Sequence, residues 1–233
     1  VEILVALYFK IMKISKTTLS SSRRDRFILS KGHACPALYA VLAEKGFLNK
    51  RDLDEFAVNG GIFQQHPDRD LARGIEFSTG SLGHGLSVAA GVALDIRVRA
   101  LKHRVFTLMG DGELNEGAVW EAAIFASQHK LANLIAIVDH NKMQAMGHTK
   151  DIVDLEPLKG KWEAFGWYVQ DIDGHDFAAI FKSFGRLSKS RPNLIVMHTM
   201  KGKGVSFMEN DILWHYRYPR DEEYTNALKE LYR

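Results

Sequence analysis

The chain is short of everything that would mark a secreted, membrane-bound or nucleic-acid-binding protein. Cys35 is its only cysteine, so no intramolecular disulfide can form, and a reducing cytoplasm is the expected setting. Neither sign of charge dominates: 31 Lys and Arg stand against 28 Asp and Glu, a formal net charge of +3, with the two signs interleaved. The one dense basic patch near the front, Ser22-Arg23-Arg24-Asp25-Arg26, has no aromatic platform or reading motif beside it. It reads as a solvated loop, and no nucleic-acid partner is expected. Internal repeats, low-complexity tracts and linkers are missing too. The opening VEILVALYFKIMKI has the apolar content of a signal peptide, but Ile3, Leu4, Leu7, Tyr8 and Ile11 recur at the spacing of one helix face. That makes it a core-facing helix, and no membrane class is expected.

What is present is an ordinary globular composition, 46% apolar and 25% charged, in 233 residues, enough for one α/β core with an irregular segment. Because the first residue is Val, an upstream stretch is expected to have been trimmed, leaving one domain over residues 1–233. Phe27-Ile28-Leu29 is a short strand delivering Ser30-Lys31-Gly32-His33 on a loop, and residues 36–45 and 51–57 read as helices. Residues 60–80 have little periodicity, and irregular segments of that length tend to be functional. An Ala-rich helix over 86–101, strands over 105–109 and 134–138 and a helix over 116–130 make one βαβ unit. A strand over 168–171, a helix over 177–187 and a strand over 194–198 continue the alternation. The predicted architecture is α/β, an open parallel sheet with helices on both faces.

Two strands end on small oxygen-bearing residues, Gly110-Asp111-Gly112 and Asp139-His140-Asn141. In open parallel sheets ligands collect beyond the carboxyl ends of the strands, so Asp111 and Asn141 should face one crevice. A carboxylate and an amide carbonyl are hard donors suited to Mg²⁺ or Ca²⁺, and such a cation completes its shell from a phosphate. The flanking glycines admit a phosphate to the backbone, and the next helix turns its first N–H groups towards it. A metal-bridged diphosphate is the predicted ligand. Taken singly, Gly-Asp-Gly is a common turn and Asn a common loop residue. The crossover spacing between them carries the reading.

GDG followed about thirty residues later by an Asn after an apolar strand resembles the thiamin-diphosphate motif. SKGHA at 30–34, QHPD at 65–68, EFSTGSLGHGLSVAAGVAL at 76–94, GDGELNEGAVWEAA at 110–123 and MKGKGVSFMENDILWH at 200–215 are together similar to the amino-terminal half of transketolase, in the two-gene style in which this half is a separate polypeptide. The resemblance implies Asp111, Asn141 and the carbonyl of Met143 as ligands of Mg²⁺ (or Ca²⁺ or Mn²⁺), and Gly112, Gly80, Leu82, Gly83, Asn141 and Lys201 around the cofactor. It implies His33, His66 and His215 around the reactive carbon and the donor sugar, with His33 and His215 also touching the cofactor. Glu116 is implied as the contact to an activating glutamate in the partner. His84 stands where many members carry Gln.

By the same resemblance the partner is a carboxyl-half subunit bringing the pyrimidine-binding domain, with two copies of each chain, and sugar phosphates are the substrates. The family's leading Gly-His loop has no counterpart here, so one active-site histidine is expected to be missing. Three other readings stay open: a relative acting on a different sugar phosphate, a catalytically silent cofactor-binding subunit, and a nicotinamide-binding Rossmann protein. The last is opposed by the Gly-rich segment 80–85, which has no strand before it.

Overall fold

Near-continuous apolar runs form the centre of the protein, whose computed structural model describes residues 1–232. The main strands are Arg26–Leu29 (β1), Val105–Gly110 (β2), Leu134–His140 (β3), Tyr168–Asp173 (β6) and Asn193–His198 (β7), with a small hairpin, Met143–Gln144 (β4) and Gly147–His148 (β5), set apart from them. The five pair in parallel in the order β1-β2-β3-β7-β6. Strands β2, β3 and β7 are buried along nearly their whole length, as a sheet covered on both faces requires.

Side chains alternate between two cores. Phe106, Leu108, Ile135, Ile137, Ile195 and Met197 face one side, where they meet Glu2–Ala6 (α1), Cys35–Glu44 (α2) and Phe177–Phe184 (α7). Val105, Met109, Leu134, Ala136, Leu194 and Val196 face the other, against His84–Val98 (α3), Gly117–Gln128 (α4) and Leu158–Ala164 (α6). The alanine stripes Ala89, Ala90 and Ala93 on α3 and Ala122, Ala123 and Ala126 on α4 are buried, so the small faces let these helices lie close to the sheet and to each other.

Several local expectations are corrected. The opening helix is regular only to Ala6 and finishes in a wider, π-type turn over Leu7–Ile11. Residues Lys50–Glu55 wind as a 3₁₀ helix with no buried residue, since no apolar face was there to hold an α-helix. The hairpin β4-β5, Thr149–Ile152 (α5), α6 and Asp221–Leu231 (α8) are additions. Among the described residues no helix is long and apolar enough to cross a membrane.

Candidate functional site

Beyond the carboxyl ends of β1, β2, β3 and β7 lies a concentration of polar side chains. Gly110, the last residue of β2, pairs with Asp139 of β3, so Asp111 and Asn141 leave the sheet on neighbouring strands. Asp111 is 6% exposed, and its two oxygens accept the N–H groups of Gly112 at 2.9 Å and Lys142 at 2.5 Å. The second bond exists because Lys142 takes a left-handed conformation (φ 61°), while the Asn141 side-chain oxygen accepts the Met143 N–H at 3.0 Å and tightens the turn. Burial nevertheless pushes the Asp111 carboxyl up to about 6, against the pull of those N–H groups and of Lys31. A carboxylate in that state is one that a bound cation would stabilise.

Lys31, at the end of β1, donates to Asp139 at 2.6 Å, and the Thr199 hydroxyl after β7 donates to the other oxygen of the same carboxylate. Burial alone would lower the Lys31 ammonium, but Asp139, with Asp111 and Glu113 behind it, outweighs that and holds it above its usual range. Lys201 is half-buried, and burial lowers its ammonium, with the charge of Lys31 adding to the effect. Glu113 is 2% exposed and accepts from the Ser30 hydroxyl, the Gly83 N–H at 2.9 Å and the Gly110 N–H at 3.2 Å. One carboxylate thus ties the ends of β1 and β2 to the start of α3.

The three histidines read from separate motifs meet. His33 Nδ1 lies 3.2 Å from His215 Nε2, the His33 and His66 rings stack at 4.8 Å, and His215 stands edge-on to His33 at 5.1 Å. Glycine makes the approach possible: a Cβ at Gly32 would stand 2.9 Å from both Gly80 Cα and the His66 ring, and Gly80 itself has φ 143°. Burial lowers His33, helped by His66 and Lys201. Burial, Lys201 and His33 push His215 down to about 4. Both imidazoles are neutral near pH 7.

On the rim, Leu82 and Glu116 are exposed, and so is His84 at the start of α3. Gly83 caps α3 in a left-handed conformation, and a Cβ there would collide with Glu116 Cβ at 2.6 Å, so the glycine seats Glu116 against the helix start. Met143 is buried at the foot of the hairpin. Trp120 of α4 belongs to the interior packing: its indole N–H donates to the Leu114 carbonyl and its ring lies against Trp162 and Phe165. Sequence reasoning passed over Lys31, Glu113, Asp139 and Gln144. The first two sit inside the motifs SKGHA and GDGELNEG, which was the only signal available.

A parallel sheet that gathers three carboxylates, an amide, two lysines and three histidines near its strand ends defines an α/β domain with its polar residues where open sheets collect ligands. The chain belongs to the family described as transketolase, thiamine diphosphate binding domain, which matches residues 1–232. It is 44% identical to the 6-deoxy-6-sulfo-D-fructose transketolase subunit SqwG of a Clostridium species, over 99% of this chain and 84% of that one. It is 40% identical to one of the subunits of the apulose-4-phosphate transketolase of Phocaeicola vulgatus, over 99% of this chain and 82% of the relative. Its fold superposes on the transketolase of Campylobacter jejuni with a TM-score of 0.88 at 31% identity, covering 98% of this chain and 37% of that structure. The chain therefore spans little more than a third of that solved transketolase.

Proposed function

We propose that this chain is the thiamin-diphosphate-binding subunit of a cytoplasmic transketolase and works with a carboxyl-half subunit, two copies of each, to move a two-carbon ketol group from a ketose phosphate to an aldose phosphate. Ketol transfer is the reaction of the family to which the chain belongs. The observation that carries the reading is the meeting of His33, His66 and His215 beside the strand ends that present Asp111 and Asn141. Both relatives are named as subunits of a transketolase, which supports a divided enzyme.

The residues present fit a metal-bridged diphosphate. Asp111 is a buried carboxylate that no side-chain cation touches, and among the described residues no three His, Cys, Asp or Glu side chains gather as a self-sufficient metal site. The set of Asp111, the Asn141 carbonyl and the Met143 main-chain carbonyl is therefore one that Mg²⁺, Ca²⁺ or Mn²⁺ would complete from phosphate oxygens and water. Gly112 offers backbone without a side chain, Gly80, Leu82 and Gly83 form the turn before α3, and Lys201 supplies a cation.

When bound, the cofactor supplies the nucleophilic carbon that accepts the two-carbon unit. The chain's own residues bind, orient and move protons. Neutral His33 and His215 share one hydrogen bond, so the donating ring keeps a bare nitrogen that can take a proton from a substrate hydroxyl, and the accepting ring keeps an N–H to donate. His66, stacked on His33, faces the donor sugar. Glu116, exposed at the rim, is placed to meet a carboxyl group of the partner.

The test is to mix this chain with candidate carboxyl-half subunits and assay ketol transfer from several ketose phosphates. Transfer only in the mixture is expected, and a lone chain that turned over would overturn the divided-enzyme reading. The two relatives named above act by name on different sugars, so a specialised donor is the second reading, which the same panel resolves.

A further inference from the structure

The hairpin β4-β5 lies over the loop that follows β2, and Gln144 is where they touch. A Cβ at Gly112 would stand 2.5 Å from Gln144 Cβ and 2.8 Å from its Oε1, so this side chain rests directly on the glycine backbone. On one side the Gln144 amide oxygen accepts the Asn115 Nδ2–H at 3.3 Å. Its amide nitrogen is buried and has no hydrogen-bond partner. Buried donors without an acceptor are rare in folded proteins, and one beside a binding crevice marks a missing acceptor.

The surroundings say what that acceptor is. The nearest backbone donors, Gly112 N–H and Lys142 N–H, are both turned onto Asp111, and the half-buried Lys201 and the Lys31–Asp139 pair line the same strand ends. With its oxygen engaged by Asn115 and set against Gly112, the amide has only its nitrogen left to donate. Such a group suits an anionic oxygen, where a carboxylate would repel it.

Resting on the functional reading above, we propose that Gln144 is a further binding residue of this site. Its Nε2–H donates to a diphosphate oxygen of the cofactor across the face of Gly112, and Asn115 holds the amide in the orientation that offers the nitrogen. Both residues lie outside the set that the family resemblance singled out.

The experiment uses this chain assembled with its carboxyl-half partner, titrated calorimetrically with thiamin diphosphate at fixed Mg²⁺, alongside thermal melts of the cofactor-free complexes. Q144M should bind about tenfold more weakly, the loss of one hydrogen bond to a charged group. Q144E should bind more weakly still, because it sets a negative charge against the diphosphate. N115S, which loosens the amide without removing it, should show a smaller loss than Q144M. The cofactor-free Q144M complex should melt no lower than wild type, since the substitution removes a donor that has no partner there. Wild-type affinity in Q144M overturns the proposal, and so does an N115S variant that reproduces the whole loss, which would make Gln144 a brace for the loop. A wild-type complex that bound no thiamin diphosphate would overturn the functional reading as well.

Discussion

The Asp111 carboxylate accepts the Lys142 N–H at 2.5 Å, which locks the loop after β2 to the loop after β3. The bond fixes the distance between the two proposed metal ligands, Asp111 and Asn141, before any cation arrives, so binding needs little rearrangement of either loop. Asp111→Asn should abolish Mg²⁺-dependent retention of thiamin diphosphate, because it removes the only ionised ligand of the proposed set. Calorimetry on the assembled complex measures this, and an unchanged affinity would remove the metal assignment.

His66→Ala should impair turnover of the donor ketose far more than cofactor binding, since His66 stacks on His33 in the cluster proposed to face the donor sugar. A loss on the order of 10²-fold in kcat/KM corresponds to roughly 2.7 kcal/mol of transition-state stabilisation. Normal donor kinetics combined with collapsed cofactor affinity would refute the role.

His215 carries a pH dependence whose sign follows from its environment. Its imidazole sits at about 4 in the fold against an ordinary 6.5, so between those values the unfolded chain binds a proton that the native chain refuses. Its contribution to stability is complete above about 6.5 and fades as pH falls towards 4. Imidazole proton NMR on the cofactor-free protein should show one resonance titrating near 4 that is missing in His215→Gln. A His215 resonance titrating at the ordinary value would defeat the expectation.

Glu113→Gln should destabilise the fold. The carboxylate accepts from Ser30, Gly83 and Gly110, and an amide, with a single acceptor oxygen, leaves at least one of those donors facing an NH₂ group. An unsatisfied buried donor costs about 1–3 kcal/mol. At about 2–4 °C per kcal/mol for a domain of this size, the melting temperature should drop by several degrees. An unchanged melt would show that the three segments hold together without it.

Glu116→Ala should leave the complex assembled and lower its activity, because the side chain is exposed at the rim beside Gly83. Light scattering and the ketol-transfer assay, run on one sample, separate the two effects. Loss of assembly with the residual complex fully active would contradict the role.

The parts of the molecule legible in the sequence were those written in local pattern. Val105–Gly110 and Leu134–His140 are apolar enough to be read as buried parallel strands, and once they are neighbours Asp111 and Asn141 must emerge side by side. Glu113 was not legible, because its meaning depends on Ser30, 83 positions away, and Gly83, 30 positions away. Gln144 was hidden for a different reason: strands of two residues carry no alternation to detect. The packing of Trp120 was not legible either, because its neighbours, Trp162 and Phe165, come from a segment whose seven-residue helix is too short to announce itself.

The separation of the histidines along the chain sets an order of events during synthesis. The Asp111–Lys142 bond spans 31 positions and follows one strand crossover, so it can close while the chain is still being made. The His33–His215 contact spans 182 positions and cannot exist until residue 215 has cleared the ribosome. A nascent chain arrested between these points would own the Asp111–Lys142 turn and lack the histidine cluster. Contacts of such long range also form slowly in refolding. Recovery of histidine-dependent turnover should therefore trail recovery of the β2-β3 core whenever the protein is returned from denaturant.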